Sequence, residues 1–393
     1  MNRKLLATAL AAMTLLLTGC NMGKGQDGSA QDNDSTAVQD GKTAQEPDYD
    51  LEAIAKTLKE VNARTAFGFV QGRASIINQD DKLGVIDRHG RIIIPFELEY
   101  DYSVFEYTDS ILCCHRLKDD VRDYYDMDGH LLFSTKDGGN DQFHDGYACK
   151  YSDDTDDYYF IDKTGKPAFG GKHWSWAEPF SDGMALVAEK GLWGFINTRG
   201  ELVIPCQYTS LPERNPESFH EGAALVVVNP ATERQSFIDK TGKRLFDAEF
   251  STAFSFSEGF ASVFDDLQDR WGYIDKTGKT VITLDRGVAG RDFSEGLAMI
   301  HHWGTPIGYI DKTGELVFKF EENQYTDAWP FHDGRARVWD GNKEGFIDRT
   351  GKLVIPCEYT ISEDFSEGLV AVWKNEQPGY IDLNGKSTYD YNK

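Results

Sequence analysis

Four stretches of this chain read Asp-Lys-Thr-Gly, at residues 162–165, 239–242, 275–278 and 311–314. A carboxylate set ahead of Lys-Thr-Gly has the makings of a nucleophile that takes up a phosphoryl group. Proteins that use the sequence that way are built on many membrane spans, and no apolar run long enough for a span follows the first residues here. The fourfold recurrence points instead to a hairpin turn. Gly278-Lys279-Thr280 imitates the end of a phosphate-binding loop, but Gly272 precedes Gly278 by six residues where that loop requires five.

Turn aspartates Asp87, Asp126, Asp162, Asp239, Asp275, Asp311, Asp348 and Asp382 suggest a calcium ladder at first sight. Calcium needs several oxygens converging on one centre, whereas these lie about a repeat apart and are mostly followed by Lys or Arg. They read as structural residues, each opening a turn closed by Gly90, Gly165, Gly242, Gly278, Gly314 or Gly351 where that glycine follows. His144, His220 and His332 share one repeat phase where other units carry Ser, and His301-His302 has no partner at ligand spacing, so no metal is expected. The acid-rich stretches Asp153-Asp154-Thr155-Asp156-Asp157 and Asp265-Asp266 read as solvated loops. With no cofactor motif and no Ser-His-Asp order, the chain is expected to be non-catalytic.

Cysteine offers one sharper possibility. Cys113 and Cys149 stand three residues after Ser110 and Gly146, the same phase of consecutive units, and could form a disulfide if those strands are neighbours. Cys206 and Cys357 share another phase four units apart and read as separate core thiols.

These residues are held by a repeat. The turn glycines Gly90, Gly129, Gly165, Gly200, Gly242, Gly278, Gly314, Gly351 and Gly385 are spaced by 39, 36, 35, 42, 36, 36, 37 and 34 residues. A second series runs in phase with them: Gly72, Ser110, Gly146, Gly183, Gly222, Gly259, Gly296, Gly334 and Gly368. Two markers in constant phase over nine units define a repeat array.

One unit is legible in Trp271-Gly272-Tyr273-Ile274-Asp275-Lys276-Thr277-Gly278-Lys279-Thr280-Val281-Ile282, where two β-rich runs flank a turn whose Gly takes the left-handed conformation. Gly296-Leu297-Ala298-Met299-Ile300 alternates as a third strand, and Pro205 and Pro356 end the Val-Ile-Pro runs because proline cannot donate to an inner ladder. The expected fold is all-β: about nine three-stranded antiparallel meanders over residues 67–393. One meander cannot bury its apolar face alone, so neighbours must stack. With no split unit to close a ring by shared strands, an open solenoid-like array is expected, and a closed β-propeller is the alternative.

The N-terminus carries different information. Arg3 and Lys4 precede an apolar run, Leu5–Leu17, and Leu17-Thr18-Gly19-Cys20 follows at once. This resembles a bacterial lipoprotein signal peptide, which implies removal of residues 1–19 and a lipid such as palmitate on Cys20, anchoring the chain to the cell envelope at its outer membrane. Residues 20–50 hold little that could be buried and read as a flexible tether. Leu51, Ile54, Leu58 and Val61 mark one face of a short helix, placed at 51–66, that caps the first repeat. The formal charge of −24 becomes −26 once Arg3 and Lys4 are lost, which argues against nucleic acid as a partner.

The phrases Trp193-Gly194-Phe195-Ile196-Asn197 and Trp271-Gly272-Tyr273-Ile274-Asp275, the recurring Val-Ile-Pro and the Phe-Ser-Glu-Gly-Leu runs resemble the WG (Trp-Gly) β-repeat family of bacterial proteins. Leu83, Ile307, Glu344 and Pro378 replace the Trp in some units, and Asp123, Tyr159 and Ser236 replace the Gly. The resemblance implies a β-repeat scaffold, often secreted, with no shared catalytic chemistry. A long repeat surface on a tether suits a binding scaffold for an envelope protein or a glycan, with Trp174, Trp176, Trp303, Trp329, Trp339 and Trp373 as candidate contacts besides core packing. A carbohydrate-active protein is the alternative.

Overall fold

The computed structural model describes residues 48–99, 107–116, 118–136, 138–211 and 215–391. The signal segment, Cys20 and the tether as far as residue 47 lie outside the described residues. Among those described, the chain folds into nine small antiparallel sheets, one per repeat. Each sheet is a blade, numbered here in chain order.

Blade 4 shows the pattern at full length: Trp176–Ser181, Met184–Glu189, Leu192–Asn197 and Leu202–Tyr208 pair in sequence order. Six blades have four strands rather than the three read from sequence. The additional strand is the first, the run that ends at the acidic-Gly turn. Pro179 and Pro330 lie in it, so it looks like a loop in sequence. First strands of adjacent blades meet, as Gly138–His144 meets Trp176–Ser181, so they lie innermost and the fourth strands form the circumference.

The array is closed, which corrects the open-solenoid expectation. Third-strand tyrosines donate to the first-strand backbone of the next blade: Tyr273 Oη to Arg291 O and Tyr309 Oη to Trp329 O, both at 2.6 Å. Tyr380 Oη of blade 9 makes the same bond, also at 2.6 Å, to Phe67 O of blade 1. Ser257 Oγ and Ser294 Oγ donate to Phe293 O and Phe331 O, and Ser366 Oγ donates to Phe69 O across the same seam at 2.7 Å. Among the described residues no sheet takes strands from both ends of the chain. Side-chain staples do the closing, and for this reason the strand pattern alone did not disclose a ring.

The core is correspondingly divided into nine apolar clusters, one at each blade interface. At the seam, Ile54, Leu58 and Phe69 pack with Leu369, Ala371 and Tyr380. Helix α1, Leu51–Glu60, begins at an Asp50 cap whose carboxylate accepts Ala53 N–H at 3.0 Å. It is shorter than the 51–66 expected, because Ala63–Ala66 is the first strand of blade 1. It also does more than cap the first repeat. Blade 9 has three strands and a short 3-10 turn, Thr388–Tyr391, in place of a fourth. Elsewhere the turn glycine packs on the preceding blade's outer edge, as Gly351 does on Phe318; Gly90 packs instead on the α1 backbone at Ala53. The helix therefore fills the seam between the last and first blades.

Candidate functional site

The Asp-Lys-Thr-Gly sequences form turns with a fixed hydrogen-bond pattern. In blade 6, Asp275 Oδ1 accepts Thr277 N–H at 2.8 Å, Lys279 N–H at 3.2 Å and the Thr277 hydroxyl at 2.5 Å, while Gly278 takes φ +78°. Asp162, Asp239, Asp311 and Asp348 do the same, and Asp87 accepts two backbone N–H groups without the hydroxyl. The threonine hydroxyl, then the backbone donors, hold the Asp239, Asp275 and Asp311 carboxyls below the usual carboxylate range.

A second turn lies on the same face of the ring, between first and second strands. Its acidic residue and the following glycine both have positive φ, as at Glu258 (+52°) and Gly259 (+87°). From this position the carboxylate reaches the next blade: Glu221 Oε2 accepts Gly259 N–H at 2.9 Å, and Glu258 Oε2 accepts Gly296 N–H at 2.8 Å. Nine such bonds run round the molecule, with Gln71 to Ser110 as the neutral variant and Glu367 to Gly72 at the seam. The lysine of Asp-Lys-Thr-Gly pairs with the same acids: Lys240 with Asp182 at 2.7 Å, Lys276 with Glu221 and Lys312 with Glu258 at 3.2 Å. Acid and lysine on this face are thus engaged with each other, which leaves the face sealed.

His144, His220 and His332 stand where other blades have the stapling Ser. Burial lowers the basicity of His144, and His332 Nε2 lies 3.8 Å from Asp364. Among the described residues no group of three His, Cys, Asp or Glu side chains could hold a metal ion. Cys113 and Cys149 are free thiols packed in different clusters, Cys113 between blades 2 and 3 and Cys149 between blades 3 and 4. Equal phase makes them face the same way round the ring, so they follow one another instead of meeting. Cys206 and Cys357 are also free.

The repeat pattern breaks most sharply in blades 2 and 3. Lys150 is completely buried where the other blades place residues such as Ile76, Val187, Val263 and Val372. Its ammonium pairs with the buried carboxylate of Asp141 and donates to Tyr124 Oη at 2.8 Å. Tyr124 Oη donates to Asp141 at 3.0 Å, and Arg122 Nε reaches the other carboxylate oxygen at 3.3 Å. Burial, then the nearby Cys113 and Asp141, pushes the Tyr124 phenol far up. Tyr124 occupies the stapling-tyrosine phase but bonds a side chain, where its counterparts bond a carbonyl. Sequence analysis passed over Lys150 and Asp141; aligning the units on their turn glycines would have marked a lysine in an apolar column.

Beside this network, on the face opposite the sealed one, a cleft of about 340 Å³ opens between blades 3 and 4, lined by Gly139, Cys149, Tyr151, Tyr158, Trp176, Ala177 and Glu178. Its wall is an aromatic strip: Tyr151 to Tyr158 is 5.1 Å between ring centroids, Tyr158 to Trp176 is 4.9 Å, and Trp176 to the buried Trp193 is 6.5 Å. Trp176 Nε1 donates to Glu178 at 2.7 Å, and Tyr151 Oη donates to Asp156 at 2.5 Å; the latter bond raises the Tyr151 phenol to about 12. The backbone can approach closely at Gly139, where a Cβ would lie 2.6 Å from Tyr151 N. The acid-rich loop 153–157 is the turn between the second and third strands of blade 3 and borders this cleft. Of the six tryptophans outside the hairpin position, Trp176, Trp303 and Trp339 are exposed, whereas Trp174 is buried and Trp329 and Trp373 partly so.

The family model described as "WG containing repeat" matches residues 84–108, 160–193, 193–229, 236–266, 271–300, 307–343 and 345–376, together more than half of the chain. The longest gap between matched segments, 109–159, contains Tyr124, Asp141 and Lys150. No curated protein matches the chain. Among solved structures, the computationally designed Ika8 protein is similar at 15% identity over 73% of this chain and 98% of that chain, with a TM-score of 0.44. BamB from Moraxella catarrhalis is similar at 12% identity over 60% of this chain and 79% of that one, with a TM-score of 0.36.

Proposed function

The chain belongs to the family of WG-containing repeat proteins, and from that premise we propose that it is a non-catalytic binding scaffold of the cell envelope that engages its partner through the face opposite the sealed turns. The observation that carries this reading is the difference between the two faces. On the sealed face, Lys163, Lys240, Lys276, Lys312 and Arg349 pair with Asp109, Asp182, Glu221, Glu258 and Glu295. On the other, Trp303 is 85% and Leu267 98% exposed in the turns between second and third strands, with Trp176, Phe254 and Trp339 about 40% exposed nearby. Exposed aliphatic side chains such as Ile92, Leu131, Leu202, Leu316 and Leu353 run along the outer strands, but the exposed aromatics Trp176, Phe254, Trp303 and Trp339 all belong to this face, and aromatics are the usual anchors of a protein interface.

In this reading a lipid on Cys20 holds the ring to the outer membrane and the tether lets the open face reach its partner; metabolic palmitate labelling that is lost in Cys20→Ala tests the anchor. The partner is tested with photocrosslinking residues placed at Leu267 and Trp303 on the open face and at Lys276 on the sealed face. Capture of one defined envelope protein from the first two positions only is the expected result; equal capture from Lys276 overturns it. Capture of no protein, with binding on a glycan array, favours the carbohydrate reading, to which the aromatic strip beside Glu178 lends itself.

A further inference from the structure

We propose that the cleft between blades 3 and 4 binds the cationic side chain of a basic peptide segment, a specificity pocket on the open face; this rests on the scaffold reading above. Three observations converge. First, the cleft is a built feature, because Tyr151, Tyr158 and Trp176 pack into a continuous strip and Trp176 keeps 41% of its surface exposed. An aromatic face within about 6 Å of a guanidinium or ammonium contributes roughly 0.5–2 kcal/mol, more as water is excluded.

Second, Glu178 stands at this strip. Its carboxylate accepts Trp176 Nε1–H, and among the described residues no basic side chain pairs with it. The one buried cation close by is already used, since Lys150 faces blade 2 and Asp141 while its neighbour Cys149 faces the cleft and donates its thiol to Ala177 O at 3.4 Å. Third, the rim is acidic: Asp153, Asp154 and Asp156 are exposed in the bordering loop, and Asp157 is held by His173 at 2.5 Å. An arginine or lysine entering here would lay its stem along the rings and set its charge between Glu178 and the loop. A neutral sugar would leave that charge unanswered.

The probe is acetyl-triarginine amide, titrated into the folded ring while tryptophan fluorescence and heat are followed at low and at physiological salt. The expected result is saturable binding that weakens about tenfold or more in Trp176→Ala and in Glu178→Gln, is retained in Trp176→Phe, and is unchanged in Leu353→Ala, at an exposed position on the outer strand of blade 8. Trp176→Ala changes no charge, so it separates a pocket from general attraction to an acidic protein. Equal affinity across all variants overturns the proposal, as does binding of a neutral oligosaccharide at Trp176 with none of the peptide. Loss of peptide binding at the cleft while Leu267 and Trp303 still crosslink a partner would remove this pocket and leave the scaffold reading in place. Circular dichroism and the urea midpoint of each variant establish that it is folded.

Discussion

Glu367 Oε2 accepts the backbone N–H of Gly72 at 2.9 Å, a contact between residues 295 positions apart that repeats the bond made at every other blade interface. Closure therefore uses the same chemistry as stacking. Glu367→Ala is expected to cost about 1.5–3 kcal/mol, the range for a hydrogen bond to a charged acceptor. Glu258→Ala, which removes the matching bond inside the array together with the Lys312 ion pair, should cost at least as much. Urea denaturation of both variants checks this; a silent Glu367→Ala beside a costly Glu258→Ala would mean the seam is open in solution.

Acid sensitivity should follow from the turn aspartates. Asp239, Asp275 and Asp311 have folded-state pKa values depressed below the ordinary 3.8, so the folded state binds their protons less readily than the unfolded chain does. Their contribution is fully present above pH about 4 and is lost as pH falls through the folded values. Urea midpoints should hold level from pH 6 to about 4.5 and then drop. In Asp275→Asn the drop should be smaller, from a lower starting midpoint.

The Lys150–Asp141 pair predicts strong non-additivity. Lys150→Val alone installs the residue usual at that position but leaves Asp141 buried with less compensation, and should cost about 3–5 kcal/mol. The double variant Lys150→Val with Asp141→Ala removes both charges and should recover much of that loss. A double-mutant cycle in denaturant measures the coupling, and an additive pair would show that the two charges do not act on one another.

The Trp-Gly phrase itself has a steric reason. A Cβ on Gly272 would sit 2.5 Å from Ile282 O, and one on Gly345 would sit 2.6 Å from Ile355 O, because the fourth strand crosses directly over the glycine. Blades 3 and 5, with Tyr159 and Ser236 at that position, have a two-residue fourth strand and none, respectively, whereas blade 2 keeps its outer strand Leu131–Thr135 opposite Asp123, whose carboxylate accepts the Ser134 hydroxyl. Gly272→Ala should therefore destabilise by more than about 2 kcal/mol through strain at the outer edge. Faster amide exchange confined to Thr280–Thr283 and its partner strand is the signature to look for.

The repeat, its turns and three of the four strands were readable because each is written in local residue types: Asp to open, Gly to close, alternation between. Closure was not readable, since it rests on Ser366, Glu367 and Tyr380 finding partners near residue 70, and those residues look the same whether or not such partners exist. The innermost strands were missed because Pro179 and Pro330 disguise two of them and others are very short, as Thr252–Ala253 and Val288–Gly290 are. In the cleft, Trp176 stood out by composition, but Tyr151, Tyr158 and Glu178 come together only through the stacking of two blades. Lys150 was hidden for a different reason: a buried charge is recognised by its surroundings, and those are three-dimensional.

Because the seam is closed by the same bonds as the other eight interfaces, the numbering of the blades is a convention of where the chain begins. Tyr49 Oη and Asp382 Oδ2 lie 3.2 Å apart, so the first and last described residues come close together. A circular permutant joined there by a short linker and reopened between blades 4 and 5 should build the same ring, with α1 now in the middle of its sequence.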